Sequence, residues 1–129
     1  MAQTYTEPYQ VFLDDIDYWG VVSHHKWIAI FERLRTKAFA EPFKELLGAG
    51  FGLVVAGLTV SYKKPGIFNQ KLTVEITPQS VGRASFEVKQ VARDEKGEVL
   101  VEANVHLVYV DRAGRPVKVP DDARKRFLE

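Results

Sequence analysis

Three carboxylates crowd into one short stretch of this chain. Asp14, Asp15 and Asp17 lie within four residues, followed by Gly20 and then by the pair His24 and His25. A carboxylate held beside a reacting carbon can attack it directly or take a proton from water. A carbonyl under attack also needs positive charge at its oxygen. The first turn of a helix supplies that charge, because its amides have no intrahelical acceptor and the macrodipole leaves a partial positive charge there. Ser23 stands where a helix N-cap is expected, since its hydroxyl can accept a hydrogen bond from such an amide. Gly20 lets backbone approach a ligand closely. Asp17 lies seven residues before His24, so its carboxylate can sit beside a carbon whose oxygen those amides hold. Taken alone, the same residues also fit a plain loop. In that reading Asp17 accepts from nearby backbone amides, and Asp14 and Asp15 are solvated or capping groups.

Other chemistries find less support. The chain has no cysteine, which excludes a disulfide framework, a thiolate zinc site and a cysteine nucleophile. His24 and His25 would point roughly 100° apart on a helix, a poor metal pair, and His106 is remote in sequence. No metal site is therefore expected. Glu32 is a candidate general base, or else one end of a structural ion pair.

These residues need elements to hold them. Residues 9–13 alternate weakly and read as a first strand, followed by an acidic, aromatic loop over 14–20. After Ser23, the apolar residues Trp27, Ile30, Phe31, Leu34 and Ala38 recur at three- and four-residue spacing, which predicts an amphipathic helix of roughly four to five turns. Pro42 is expected to interrupt it, with one more turn over 43–47 ended by Gly48 and Gly50. Strands follow over 53–62, 71–77, 83–93 and 98–110. In the last, Val99, Val101, Ala103, Val105, Leu107 and Tyr109 share a face opposite Glu102, Asn104 and His106. Period two with one polar face describes an antiparallel sheet with one side against a core. Pro65-Gly66, Val81-Gly82, residues 94–97 and Ala113-Gly114 are turn signals. Pro78 ends a strand or marks a bulge. Residues 121–128 read as a short helix capped by Asp121 or Asp122. One helix stripe on one sheet makes the chain α+β, a single domain over residues 1–129. The sheet has more one-sided apolar surface than one helix can cover, so dimerisation through joined sheet edges is expected.

Composition bounds the rest. A chain of 129 residues that is 46% hydrophobic and 27% charged is an ordinary globular domain. Eighteen basic against seventeen acidic residues give a net charge of +1, so a nucleic-acid partner is not expected. Residues 1–8 are polar and carry Glu7, so no secretory signal is expected. The apolar run over 51–60 is far short of the ~20 residues a membrane helix needs. The expectation is a cytoplasmic protein with no membrane partner.

The stretch Asp14-Asp-Ile-Asp-Tyr-Trp-Gly-Val-Val-Ser-His-His-Lys-Trp27, with Phe31-Glu-Arg-Leu-Arg35 after it, resembles the hotdog-fold acyl-CoA thioesterases of the 4-hydroxybenzoyl-CoA thioesterase type. Their signature is Asp-x-Asp-x-x-Gly-Val-Val-x-His leading into the central helix, then Phe-Glu-Arg-x-Arg. Asp15, Asp17, Gly20, Val21, Val22 and His24 match in register, as do Phe31, Glu32, Arg33 and Arg35. Residues 62–72 resemble the family's Tyr-x-x-Pro segment. The resemblance implies a long central helix wrapped by a curved antiparallel sheet of about five strands. It implies a homo-oligomer, a dimer at least with a tetramer preferred, whose sites lie between subunits. It also implies hydrolysis of an acyl-CoA thioester to free acid and CoA without metal or organic cofactor.

Asp17 then falls on the family's catalytic carboxylate, and the first-turn amide at His24 on the group that polarises the thioester carbonyl. The His24 side chain would hold the acyl group or orient Asp17. Gly20, Val21, Val22, Trp19, Trp27 and Tyr62 are the expected substrate contacts. Lys63, Arg83 and Lys89, with Lys64 and Arg93 beside them, are candidates for the phosphates of CoA. A charged solvent face is the ordinary alternative for the strand cations, and core packing for Trp27. The chain departs from the pattern at Lys26 and Trp27, where many members carry Asn-Tyr, and at Gln70, where many carry aspartate. Two other readings therefore stand beside the thioesterase, a hotdog hydratase or dehydratase and a non-catalytic acyl-binding module.

Overall fold

The computed structural model describes residues 3–128. The chain runs β1 (Tyr5–Gln10), a 3-10 turn (Leu13–Asp15), α1 (His24–Ala38), α2 (Ala40–Gly48), β2 (Gly52–Tyr62), β3 (Lys71–Val81), β4 (Ser85–Arg93), β5 (Val99–Val110) and α3 (Asp121–Leu128). The five strands form one sheet in the order β1-β3-β4-β5-β2, antiparallel throughout. Register shifts at Val55/Gly57, Pro78/Ser80 and Ala92/Arg93 mark bulges, which bend strands and increase their twist.

Strand alternation fills the core. Val74, Ile76, Phe86, Val88, Val101, Ala103, Val105 and Leu107 are buried, and the α1 stripe of Trp27, Ile30, Phe31 and Leu34 packs into the same cluster. The expected faces of α1 and β5 are therefore the observed ones. Residue Gln90 is the exception that alternation places on an apolar face. It occupies a core position of β4 and is fully buried.

Three expectations need correction. The first strand is Tyr5–Gln10 rather than 9–13, because the ladder to β3 runs from Tyr5↔Ile76 to Gln10↔Lys71. Leu13 instead opens the 3-10 turn with 71% of its surface exposed. The helix breaks at Phe39 (φ −104°, ψ 25°), ahead of Pro42. The proline ring clashes with a helical carbonyl four residues earlier, at Ala38, and its missing amide is harmless in a first turn. Ser23 is the N-cap by position, but its hydroxyl makes no capping bond. Its carbonyl accepts from the amides of Lys26 and Trp27 at 3.0 and 3.3 Å.

The end of α2 follows the glycine rule. Gly50 is left-handed (φ 87°). The Phe51 amide donates to the Leu46 carbonyl at 2.9 Å and the Gly50 amide to Leu47 at 3.1 Å, the paired bonds of a Schellman motif. Asp121 and Asp122 lie inside the first turn of α3, where negative charge suits the helix dipole.

Candidate active site

The acidic loop is built in two stages. Asp15 comes first, and it is a buried structural group with 6% exposure. Its Oδ2 accepts from the Tyr9 hydroxyl at 2.6 Å and from the Phe12 amide at 2.9 Å. Its carbonyl accepts from the Ser23 amide at 3.0 Å. One residue thus ties the end of β1 to the start of α1. Burial, and then the hydrogen bond and charge of Asp15, push the Tyr9 phenol well above the usual tyrosine range.

The second stage is a tight turn over 17–20. The Gly20 amide donates to the Asp17 carbonyl at 3.0 Å, and the Asp17 amide to Val21 at 2.9 Å. Gly20 has φ 81°, a conformation that glycine adopts without penalty. Bridges Ile16↔Val22 and Val21↔Ile67 clamp the turn, and the Val22 amide donates to the Gly66 carbonyl at 2.9 Å. Gly66 is required by closeness. A Cβ there would lie 2.8 Å from Cζ2 of Trp27 and 2.9 Å from Cγ2 of Val22, and both neighbours are buried. Gly66→Ala is expected to cost about 1–3 kcal/mol of stability through overpacking. A thermal melt indistinguishable from the parent would show that the two segments separate freely.

A cleft of about 370 Å³ opens between this turn, the first turn of α1 and the segment after β2. Asp17, Val21, Val22, His24, Trp27, Tyr62 and Lys63 all line it, together with Lys64 and Pro65. Within the half-buried Asp17 carboxylate, Oδ1 accepts from the Trp19 amide at 2.8 Å. The other oxygen, Oδ2, has no hydrogen-bond partner among the described residues. The amides of His24 and His25 likewise have none there. The Tyr62 hydroxyl donates to the His24 carbonyl at 2.9 Å, so the end of β2 is fastened to the first turn of α1. Trp27 serves both readings offered for it, as a core residue that also forms a wall of the cleft. The His24 ring lies edge-on to His25 and makes no hydrogen bond to Asp17.

Other candidates lie elsewhere. Trp19 projects from the turn with 81% of its surface exposed and does not line the cleft. Gly20 contributes the turn and no wall. Lys64 pairs with Glu98, whereas Lys63 has no carboxylate partner among the described residues. Arg83 follows β3, its carbonyl accepting from Val119 at 2.8 Å. Lys89 stands on β4 opposite the buried face of Val88 and Gln90. Neither reaches the cleft within the single chain. Arg93 pairs with Glu75 at 2.7 Å. Gln70 donates no charge to the site; its Oε1 accepts from the Ile67 amide at 3.0 Å. Pro65 and Gly66, read from sequence as a turn, prove to be part of the cleft wall and its support. The signals in the sequence were the Pro-Gly turn pair and the likeness of Tyr62 to Pro65 to the family's Tyr-x-x-Pro segment.

A half-free carboxylate lining the same cleft as the first turn of a helix suits attack on a carbonyl. The model of the Thioesterase-like superfamily matches residues 11–127. The chain is 29% identical over 107 residues to the acyl-CoA thioester hydrolase YbgC of Escherichia coli O6:H1, covering 81% of this chain and 80% of that one. In three dimensions it is similar to a 1,4-dihydroxy-2-naphthoyl-CoA thioesterase from Synechocystis, with a TM-score of 0.85, 19% identity, and 95% and 93% of the two chains covered. It is also similar to a Staphylococcus aureus protein solved in complex with CoA, with a TM-score of 0.89, 14% identity, and 98% and 82% covered. The wrapped helix and five-stranded sheet are the hotdog fold. With the match running over nearly its whole length, the chain belongs to the Thioesterase-like superfamily.

Proposed function

We propose that the protein hydrolyses an acyl-CoA thioester to a free acid and CoA in the cleft beside α1. The observation that carries this reading is the shared cleft of Asp17 and His24, which is lined by a carboxylate with one oxygen unpartnered among the described residues and by the first turn of a helix. The thioester oxygen accepts a hydrogen bond from that turn, which stabilises the developing oxyanion. Asp17 then either attacks the carbonyl carbon, expelling CoA thiolate and leaving an anhydride that water cleaves, or takes a proton from the attacking water. Val21, Val22 and Trp27 contact the acyl group, Tyr62 holds the helix start, and Lys63 meets a CoA phosphate. A part for Arg83 and Lys89 in CoA binding requires a second subunit.

The reading includes a homo-oligomer, a dimer at least with a tetramer preferred. The two sheet edges differ in a way that supports it. β1 carries Pro8 and Glu7, the latter paired with Lys37 at 3.1 Å. β2 carries neither proline nor charge over its 11 residues, and an unguarded edge is a template for pairing. A cytoplasmic location belongs to the same reading; among the described residues no helix is long and apolar enough to cross a membrane.

The test is release of free thiol from a panel of acyl-CoAs. A thioesterase liberates CoA thiol from at least one of them. Hydration of an enoyl-CoA without thiol release would instead favour a hydratase, and tight binding without turnover an acyl-binding module. Thiol release is expected to survive exhaustive chelation with EDTA. Loss of activity restored by a divalent metal would overturn the metal-free mechanism.

A further inference from the structure

The cleft that holds Asp17 and His24 stops against two aromatic side chains that are fixed in place. Trp27 is 2% exposed and lines the cleft. The Gly66 backbone presses on its ring, since a Cβ there would lie 2.8 Å from Cζ2 and 3.4 Å from Cη2. The buried Phe31 ring lies against it as well, with centroids 6.0 Å apart. Tyr62 lines the cleft from β2 and is tied down by the bond from its hydroxyl to the His24 carbonyl at 2.9 Å. Neither ring is free to swing aside.

Beyond these rings lies a second space. A cavity of about 240 Å³ is walled by Ile28 and Phe31 of α1 and by Leu58 and Val60 of β2, with Glu32 and Arg35 as its polar groups. It adjoins another of about 250 Å³, with which it shares Arg35 and Val55. The cleft shares no lining residue with either. Its walls nevertheless lead toward the first. Phe31 follows Trp27 by one turn of α1, and Val60 precedes Tyr62 by two residues on β2, so each pair shares a face of its element. Cleft and cavity are thus successive stretches of one space between α1 and β2, and the contact of Trp27 with Phe31 divides them.

We propose that Trp27 determines which acyl groups the enzyme accepts, by closing the cleft against the cavity beyond it. The acyl group must end at the indole ring, so the site selects short or compact acyl groups over long chains. A methylene that gains apolar cover adds roughly fourfold to transition-state binding, and one turned back into water adds nothing. The inference rests on the thioesterase reading above and adds the choice of substrate to it.

The test is kcat/KM from thiol release on straight-chain acyl-CoAs from acetyl to palmitoyl, each below its micellar concentration, with benzoyl-CoA as a compact ring. The proteins are the parent, Trp27→Ala, Trp27→Leu and Val60→Ala, with circular dichroism reporting the fold. The parent is expected to favour a short or ring-shaped acyl group and to lose efficiency by octanoyl-CoA. In the Trp27 variants the ratio of octanoyl-CoA to the best compact substrate is expected to rise on the order of tenfold or more. Val60→Ala enlarges the far cavity without opening the division and is expected to keep the parental profile. Should Trp27→Ala fail to fold, Trp27→Leu carries the comparison, and the parental profile tests the proposal without any variant. A parent that hydrolyses palmitoyl-CoA as well as its best compact substrate overturns the proposal. Folded Trp27 variants with the parental profile overturn it too, as does a Val60→Ala protein that gains long chains equally. Thiol release from none of the acyl-CoAs would remove the thioesterase reading and this inference with it.

Discussion

Asp17→Asn is expected to lower turnover of the best acyl-CoA by about a hundredfold or more while leaving the protein folded. The amide keeps the size of the carboxylate and most of its hydrogen bonding, including an oxygen to accept from the Trp19 amide, which now sits 2.8 Å from Oδ1. It loses the negative charge and with it most of the capacity to attack a carbonyl or to activate water. A hundredfold corresponds to about 2.7 kcal/mol of barrier. The Michaelis constant is expected to change less, because the CoA contact proposed at Lys63 is left intact. Asp14→Asn is the control. Asp14 is exposed, does not line the cleft, and its variant is expected within a few-fold of the parent. A folded Asp17→Asn protein with near-parental turnover would make Asp17 a turn residue and return the mechanism to Glu32 or His24.

For Asp15, two positions earlier, the opposite signature is expected. Asp15→Ala removes the acceptor of both the Tyr9 hydroxyl and the Phe12 amide. Hydrogen bonds to a charged acceptor contribute roughly 1.5–3 kcal/mol each. The total is at least about 3 kcal/mol, a fall in melting temperature on the order of 10 °C for a domain of this size. Asp14→Ala, at an exposed position, is expected to shift stability by no more than about 0.5 kcal/mol. Compared at a temperature where both are folded, Asp15→Ala keeps far more of its turnover than Asp17→Asn. Thermal unfolding followed by circular dichroism decides the matter. An Asp15→Ala melt coincident with the parent would mean that the loop is held by its backbone bonds alone.

The two aspartates also show where local reading ends. Both matched the same motif in register, and the motif does not show that Asp15 is buried as an anchor while Asp17 stays half-exposed in the cleft lining. The separation comes from Tyr9, whose hydroxyl reaches Asp15 across the loop. Residues 9–13 read as strand, yet the strand ends at Gln10 and the chain turns at Leu13. That boundary is set by pairing with Lys71–Val81, which local alternation does not contain.

Periodicity alone was enough for the α+β class, the buried stripe of α1 and the inward face of β5, because side-chain direction in a helix or strand is a local property of the backbone. The acidic motif ahead of a helix start located the cleft for the same reason. Long-range closure decided the remainder. Gly66 is pressed against Trp27 and Val22 from 39 and 44 positions away. Tyr62 is fastened to His24 across 38 residues, while Arg83 and Lys89 are carried away from the cleft on β4 and the turn before it. Arg35 meets Gln90 across 55 residues, where each had a polar side chain at an apolar position and neither alone says what would satisfy it. A buried polar group is tolerated only with a partner, and which partner arrives depends on how the sheet and helix close together.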